Sequence, residues 1–281
     1  MPVLKHARAV LPALLLLIGM AEADAAGGRL PATSGVTQLE GAAGGGLVPW
    51  AVLSGYGTET ETGGAVFLTH VNLSDFDLNA VGASLTINNR VELSLARQAL
   101  GLGGGNRVEQ EIMGAKVRLL GDLVYTDLPQ ISLGVQYKRN LDGDLVRSLG
   151  ASRTDDWDIY LAASRLYLGA AGGYNLLLNG TLRATRANEL GLLGFGGPDG
   201  DSHRLMLEAS AAVLLDHRTA VGIEYRGKPD NLGIDEGPWQ DLFFAWFPTK
   251  RLALTAAYAR LGNVGGIDNQ DGFYLSVQGS F

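Results

Sequence analysis

The chain of 281 residues carries a formal net charge of −7, has no cysteine, and combines 18% charged residues with 40 glycines. That balance excludes the basic face a nucleic-acid partner needs, and disulfides as a source of stability. Mean hydropathy is slightly positive, yet beyond the N-terminus no apolar run reaches the about 20 residues of a membrane-spanning helix, which leaves a sheet whose outer face meets lipid.

The first element is "MPVLKHARAVLPALLLLIGMAEADAAGG". Lys5, His6 and Arg8 form a basic start, Ala9 to Met20 a short apolar core, and Ala23-Asp24-Ala25 the small-x-small pattern before a cleavage site. Residues 1–25 therefore read as a cleaved secretory signal peptide, and the mature chain is expected to begin at Ala26. Residues 26–46, "AGGRLPATSGVTQLEGAAGGG", are small and aperiodic. They read as a flexible leader or as a plug, with Arg29 or Glu40 available to pair wall charges.

From residue 47 to 281, runs of about 9 to 12 residues alternate apolar and polar, the period of tilted transmembrane strands. Val91, Leu93 and Leu95 oppose Arg90, Glu92 and Ser94. Leu205, Leu207, Ala209 and Ala211 oppose Arg204, Glu208 and Ser210. "GAVFLTHVNL" and "LFFAWF" are apolar on both sets, so their facing stays open. Asn88-Asn89, Asp216-His217 and Pro248-Thr249-Lys250 fit tight hairpins. Longer connections near 99–112, 142–156, 188–202 and 228–239 are expected on the opposite rim. With 47–56 demoted because Pro49 interrupts a ladder, the pattern predicts an all-β fold: a transmembrane antiparallel up-and-down barrel of about 12 strands, or 14 if "DLVYTDLP" at 122–129 hides a further one.

The last strand sets Phe273, Leu275, Val277 and Phe281 against Tyr274, Ser276, Gln278 and Ser280. Phe273, Trp157, Trp239 and Trp246 are girdle candidates for the membrane interface. The apolar set with its final Phe resembles the signature read by the barrel-assembly machinery of Gram-negative bacteria, with Gly279 where an aromatic is more usual. A wider resemblance rests on "TQLEGAAGGGLVPWAVLSGYGT", "RVELSLARQ", "NLLLNGTLRATRANELGLLGFGG", "AVGIEYRGKPDNL" and "AWFPTKRLALTAAYARLGN". These blocks are similar to those of a family of predicted outer-membrane barrels known only as domain of unknown function 3034. That resemblance implies a barrel in the cell outer membrane and assigns no catalytic or binding residue.

Chemistry is sparse. His70, His203 and His217 are the histidines of the expected mature chain, and none begins the His-x-Ser pattern of barrel lipases. Ser202 and His203 are adjacent and on a strand would face opposite ways. The glycine clusters lack the Lys-Ser or Lys-Thr of a phosphate loop. Asp142 with Asp144, Asp155 with Asp156 and Asp158, and Asp268 with Asp271 lack the spacing of a calcium cage. No cofactor or metal is expected. The polar strand faces place Arg90, Glu92, Lys116, Arg118, Lys138, Arg183, Arg204, Glu208, Glu224 and Arg226 in the lumen. If water fills that lumen, the excess of cations favours anions. The expectation is a narrow passive channel for small solutes, contacting lipid and lipopolysaccharide. The alternatives are a non-conducting interaction barrel, its lumen closed by charge pairs, and an outer-membrane hydrolase.

Overall fold

The computed structural model describes residues 32–281. The expected signal peptide and the start of the leader lie outside them. Two short strands, β1 (Val36–Thr37) and β2 (Ala43–Gly44), pair with each other in a sheet separate from the wall, and Gly44 also bridges Pro49. The wall comprises β3 (Thr62–Leu73), β4 (Asp77–Ile87), β5 (Val91–Gly101), β6 (Arg107–Leu120), β7 (Gln130–Asn140) and β8 (Asp155–Ala171). It continues with β9 (Tyr174–Thr185), β10 (Arg204–Leu214), β11 (Thr219–Arg226), β12 (Trp239–Thr249), β13 (Leu252–Val264) and β14 (Ile267–Ser280). Each wall strand pairs antiparallel with its chain neighbours, and β14 closes onto β3 from Ser280↔Ala65 to Gly272↔Leu73. The molecule is a closed barrel of 12 strands.

The alternative of 14 fails at "DLVYTDLP". Gly121 takes a φ of +74°, and the Asp122 carboxylate accepts the backbone N–H groups of Val124 and Tyr125, an Asx turn that diverts the chain into a loop. At the other end of the sequence the wall starts at Thr62, not at residue 47. Pro49 has no N–H for a ladder, and 47–57 is buried inside the barrel.

Alternation decides which face each residue takes. On β14, Tyr274, Ser276, Gln278 and Ser280 are buried inward, whereas Phe273, Leu275 and Val277 point out. Leu205 on β10 is 75% exposed. In water this belt would be an aggregation surface. Against hydrocarbon it is the matched solvent, and closure leaves no unpaired edge.

The two ambiguous runs resolve in the same way. Phe67 and Val71 of β3 and Phe243, Ala245 and Phe247 of β12 are buried inward. By the same parity Trp239 faces in, 2% exposed, and is not part of a girdle. Trp157 and Phe273 do lie outside near the long-loop rim, Trp157 tilted against Tyr137 at 4.9 Å and Phe273 edge-on to Tyr258 at 5.6 Å between ring centroids. Trp246 and Phe281 are exposed near the other rim.

Tight turns gather at one rim, with Asn88 and Asn89 both left-handed as a type I′ hairpin requires. The opposite rim carries the loops 141–154, with the short helix α1 (Gly143–Ser148), 186–203 and 227–238. The loop expected at 99–112 shrinks to 102–106 because β5 and β6 stay paired as far as Gly101↔Arg107.

Candidate functional site

The lumen is occupied by the chain's own N-terminal segment. Residues 34–57 are all buried, and their polar groups bond to the wall. The segment runs up from the tight-turn rim along β1, reverses at a tip where Gly41 (φ +95°) faces Ala96, and returns along β2. Going up, Thr37 donates to Gln278 at 2.9 Å, and the Leu39 carbonyl accepts from Gln98 at 2.8 Å. Coming down, Pro49 C=O accepts from Thr181 at 2.8 Å, Trp50 Nε1 donates to Ser210 at 2.9 Å, and Ala51 N–H donates to Ser164 at 2.8 Å. The Ser54 N–H then donates to Glu92 at 2.7 Å. At the exit Tyr56 N–H points to the carbonyl of Phe281, which also accepts from Gly64. Backbone groups of the segment left over from the β1–β2 pairing thus find partners on wall side chains, as buried peptide groups must.

At the tip, Glu40 is fully buried among three cations. Its carboxylate contacts Arg226 at 2.8 Å, Arg183 at 3.6 Å and Lys138. Asp158 lies 2.7 Å from Lys138 and 3.2 Å from Arg183, and Glu208 lies 2.5 Å from Arg183. The Arg183 guanidinium also sits over the Tyr160 ring at 4.9 Å. Lower down, Lys116 pairs with Glu92 at 3.1 Å and donates to the carbonyls of Ala43 and Trp50. Such ions tolerate burial only because each is paired and hydrogen-bonded, and removing one partner strands the others.

The loop 186–203 folds down from the opposite rim to meet the tip, and residues 187–196 are buried. Glu189 and Leu190 both adopt left-handed backbone, at φ 42° and 62°, a strained choice for side chains with a Cβ. The surroundings hold it in place. The Leu190 carbonyl accepts from Lys138 at 3.1 Å, and the Glu189 carboxylate accepts from Lys228 at 2.5 Å and from Trp239 Nε1 at 3.1 Å. Glu236 accepts the Glu189 N–H at 3.1 Å. Lys138 thus touches the segment from below and the loop from above. Burial pushes the Glu189 carboxyl upward, and burial beside Glu189 pushes Glu236 up to about 8.

Near the tight-turn rim the lining changes character. Val36, Trp50 and Val52 of the segment face Leu166, Leu177, Leu214, Phe243 and Phe247 around an apolar cavity of about 70 Å³.

Of the residues placed in the lumen from sequence, Glu92, Lys116, Lys138, Arg183, Glu208, Glu224 and Arg226 are buried inside. Arg90 falls in the β4–β5 turn and is exposed, one residue before its strand begins. Arg118 lies at the rim, bonded to Gly121 C=O and Asp122. Arg204 starts β10 and bonds the loop carbonyls of Asp199 and Asp230. Glu40, named as available to pair wall charges if the leader were a plug, contacts Lys138 and Arg226, whereas Asp158 and Asp241 were missed as lumenal groups. The parity of Tyr160 and Phe243 could have revealed the last two. Together these shifts remove the cation excess: Lys116, Lys138, Arg183 and Arg226 face Glu40, Glu92, Asp158, Glu208, Glu224 and Asp241.

The histidines are dispersed. His70 points outward and bonds Asn79, His203 lies by the Trp157 carbonyl, and His217 is in an exposed turn. The acidic loop residues have protein partners: Asp142 accepts the Glu109 N–H, Asp156 holds Arg186, Asp268 accepts from Asn263, and Asp271 accepts from Tyr258. Phe273, Leu275, Val277 and Phe281 present the apolar C-terminal face outward.

A family model described as "Protein of unknown function (DUF3034)" matches residues 33–278. No curated protein matches the chain. Among solved structures the chain is similar to the KdgM porin, at 11% identity and a TM-score of 0.52, covering 77% of this chain and 99% of that one. It is similar to the NanC porin at 11% identity and a TM-score of 0.50, covering 77% and 98%. It also matches the KdgM porin in complex with disordered oligogalacturonate at 10% identity and a TM-score of 0.50, covering 77% and 99%. At these identities the likeness extends to the barrel fold.

Proposed function

The chain belongs to the family described as a protein of unknown function (DUF3034), and we propose that it is a passive outer-membrane channel for small solutes, held closed by residues 34–57. One observation carries this reading. The lumen accommodates two passes of polypeptide, with both ends of the segment at one rim. Barrels of 8 strands fill their interior with wall side chains. Here the wall leaves a bore that the segment fills beneath the loop 186–203, so withdrawing the segment and lifting that loop leaves a pore that is polar in its upper part and apolar near the tight-turn rim. The tight-turn rim is periplasmic on the usual layout of such barrels.

The apolar outer belt and aromatic rims support placement in the outer membrane, after export by the signal at residues 1–25. The C-terminal face of Phe273, Leu275, Val277 and Phe281 is the surface offered to the assembly machinery, and the belt is the surface offered to lipid and lipopolysaccharide. Of the vacated wall, Lys116, Lys138, Arg183 and Arg226 oppose Glu92, Asp158, Glu208, Glu224 and Asp241. That near-equality supports weak selectivity over an anion preference. The dispersed histidines support a non-enzymatic role over the hydrolase.

The second reading is a permanently closed barrel, favoured by the three buried cations around Glu40. Single-channel recording of the refolded mature chain in a planar bilayer separates the two. The channel reading expects rare openings from the mature chain and frequent ones when residues 34–53 are deleted. Silence from both, with heat-modifiable mobility showing folded barrels, leaves the closed barrel.

A further inference from the structure

The lumenal ions divide into two groups. Glu40, Glu92, Asp158 and Glu208 are matched by Lys116, Lys138, Arg183 and Arg226. Glu224 and Asp241 are left over. They are direct cross-strand partners on β11 and β12, both buried, and no lysine or arginine pairs with either among the described residues. Glu224 accepts from the Leu47 N–H and the Ser210 hydroxyl, both at 2.7 Å. Asp241, only 7% exposed, has no hydrogen-bond partner on either carboxylate oxygen, and neither does the fully buried Tyr274 hydroxyl beside it. Buried acceptors without partners call for a bound species.

We propose that a hard divalent cation of the calcium class binds between Glu224, Asp241 and the Tyr274 hydroxyl, and that it locks the docked N-terminal segment. Two carboxylates match two positive charges, which removes the cost of leaving either ion uncompensated. The available ligands are all oxygens and need no single rigid geometry, which suits calcium better than magnesium. Space for the ion comes from glycine. An atom at the Cβ position of Gly46 would lie 3.3 Å from the Tyr274 hydroxyl and 3.5 Å from Asp241 Oδ2, so the missing side chain leaves a gap between the segment and the acid pair. Gly45 approaches Glu224 so closely that a Cβ there would collide with the carboxylate. The segment is therefore the lid of the site, and an ion beneath it acts on the segment through Glu224, which accepts the Leu47 N–H.

This inference rests on the reading of residues 34–57 as the closing segment, and its test reads binding separately from conductance. The mature chain is refolded with EDTA, then titrated with CaCl2 by calorimetry. One saturable site is expected, in the range of about 10⁻⁴ to 10⁻³ M found for extracellular calcium modules. Asp241→Asn and Glu224→Gln should each weaken it by about tenfold or more, and heat-modifiable mobility shows whether those barrels fold. Terbium in place of calcium should show luminescence sensitised by Tyr274 and lost in Tyr274→Phe. Absence of saturable binding, or equal binding by Asp241→Asn, overturns the site and leaves the pair neutralised by protons. Binding that Asp241→Asn removes, with no conductance in any condition, keeps the site and sinks the channel reading.

Discussion

The upper and lower halves of the lumen hold the same segment by different forces. Toward the long-loop rim, Glu40 is fixed by Lys138, Arg183 and Arg226 through directed, charged contacts. Toward the tight-turn rim, Val36, Trp50 and Val52 lie against Phe243, Phe247 and Leu177 through undirected apolar burial, and the charged contacts reduce to those of Lys116 and Glu92. The directed half fixes register, because one residue of slip removes Glu40 from its ring of cations. The apolar half tolerates adjustment, and its cavity shows that packing there is incomplete. Closure therefore combines a specific tip with an adaptable base.

That contrast can be broken most severely at the tip. Glu40→Ala strands three buried cations and should weaken docking of the segment by about 3–5 kcal/mol. Amide exchange over residues 34–57 should then approach that of an open chain, and openings in bilayer recordings should become frequent. A change no larger than a surface substitution would mean that the cations repack without Glu40. At the base, Val52→Ala removes two methyl groups and should cost about 1.5–2.5 kcal/mol. Its signature is faster exchange confined to the lower part of the segment, with the tip still protected. Uniform loss of protection would show that the halves form one cooperative unit.

The most local effect concerns the loop above the tip. Glu236 is held up to about 8 against an ordinary 4.5, by burial and then by Glu189. A carboxyl whose pKa is raised on docking binds its proton more tightly in the docked loop. Docking is then strongest below pH 4.5 and weakens as pH rises toward 8. Exchange at residues 187–196, corrected for intrinsic rates, should quicken across that window. In Glu236→Gln it should stay flat. A slope that survives the substitution would assign the proton elsewhere.

The wall was legible because a strand reports its facing every second residue. Leu205 and Leu207 against Glu208 and Ser210 give orientation without reference to any other strand, and Asn88-Asn89 marks its turn by chemistry. What the period cannot give is where a strand stops. Arg90, Arg118 and Arg204 share the inward parity or its edge yet sit at strand ends, where the wall opens to solvent. Trp239 was misplaced although its parity with Phe243 was available, because an aromatic near a rim suggests a girdle. The occupied lumen was barely legible. Glu40 meets Lys138 and Arg226 across 98 and 186 residues of chain, and nothing within "VTQLEGAAGGG" encodes those partners. Glycine there reads as flexibility, whereas Gly45 and Gly46 serve to bring the backbone flush against Glu224 and Asp241.

Both ends of the segment leave through the same rim, and this gives the barrel a mechanical polarity. A loop that goes in and comes out by one mouth can be drawn back without passing a free end through the ring, so withdrawal requires no unthreading. Tension on residues preceding Ala32 would load the contacts of the ascending pass in succession, Val36 and Thr37 before Glu40, and so peel them instead of shearing all at once. A push from the long-loop side meets the folded loop and the Lys138 junction together. The same seal is thus compliant to traction from one compartment and stiff to pressure from the other.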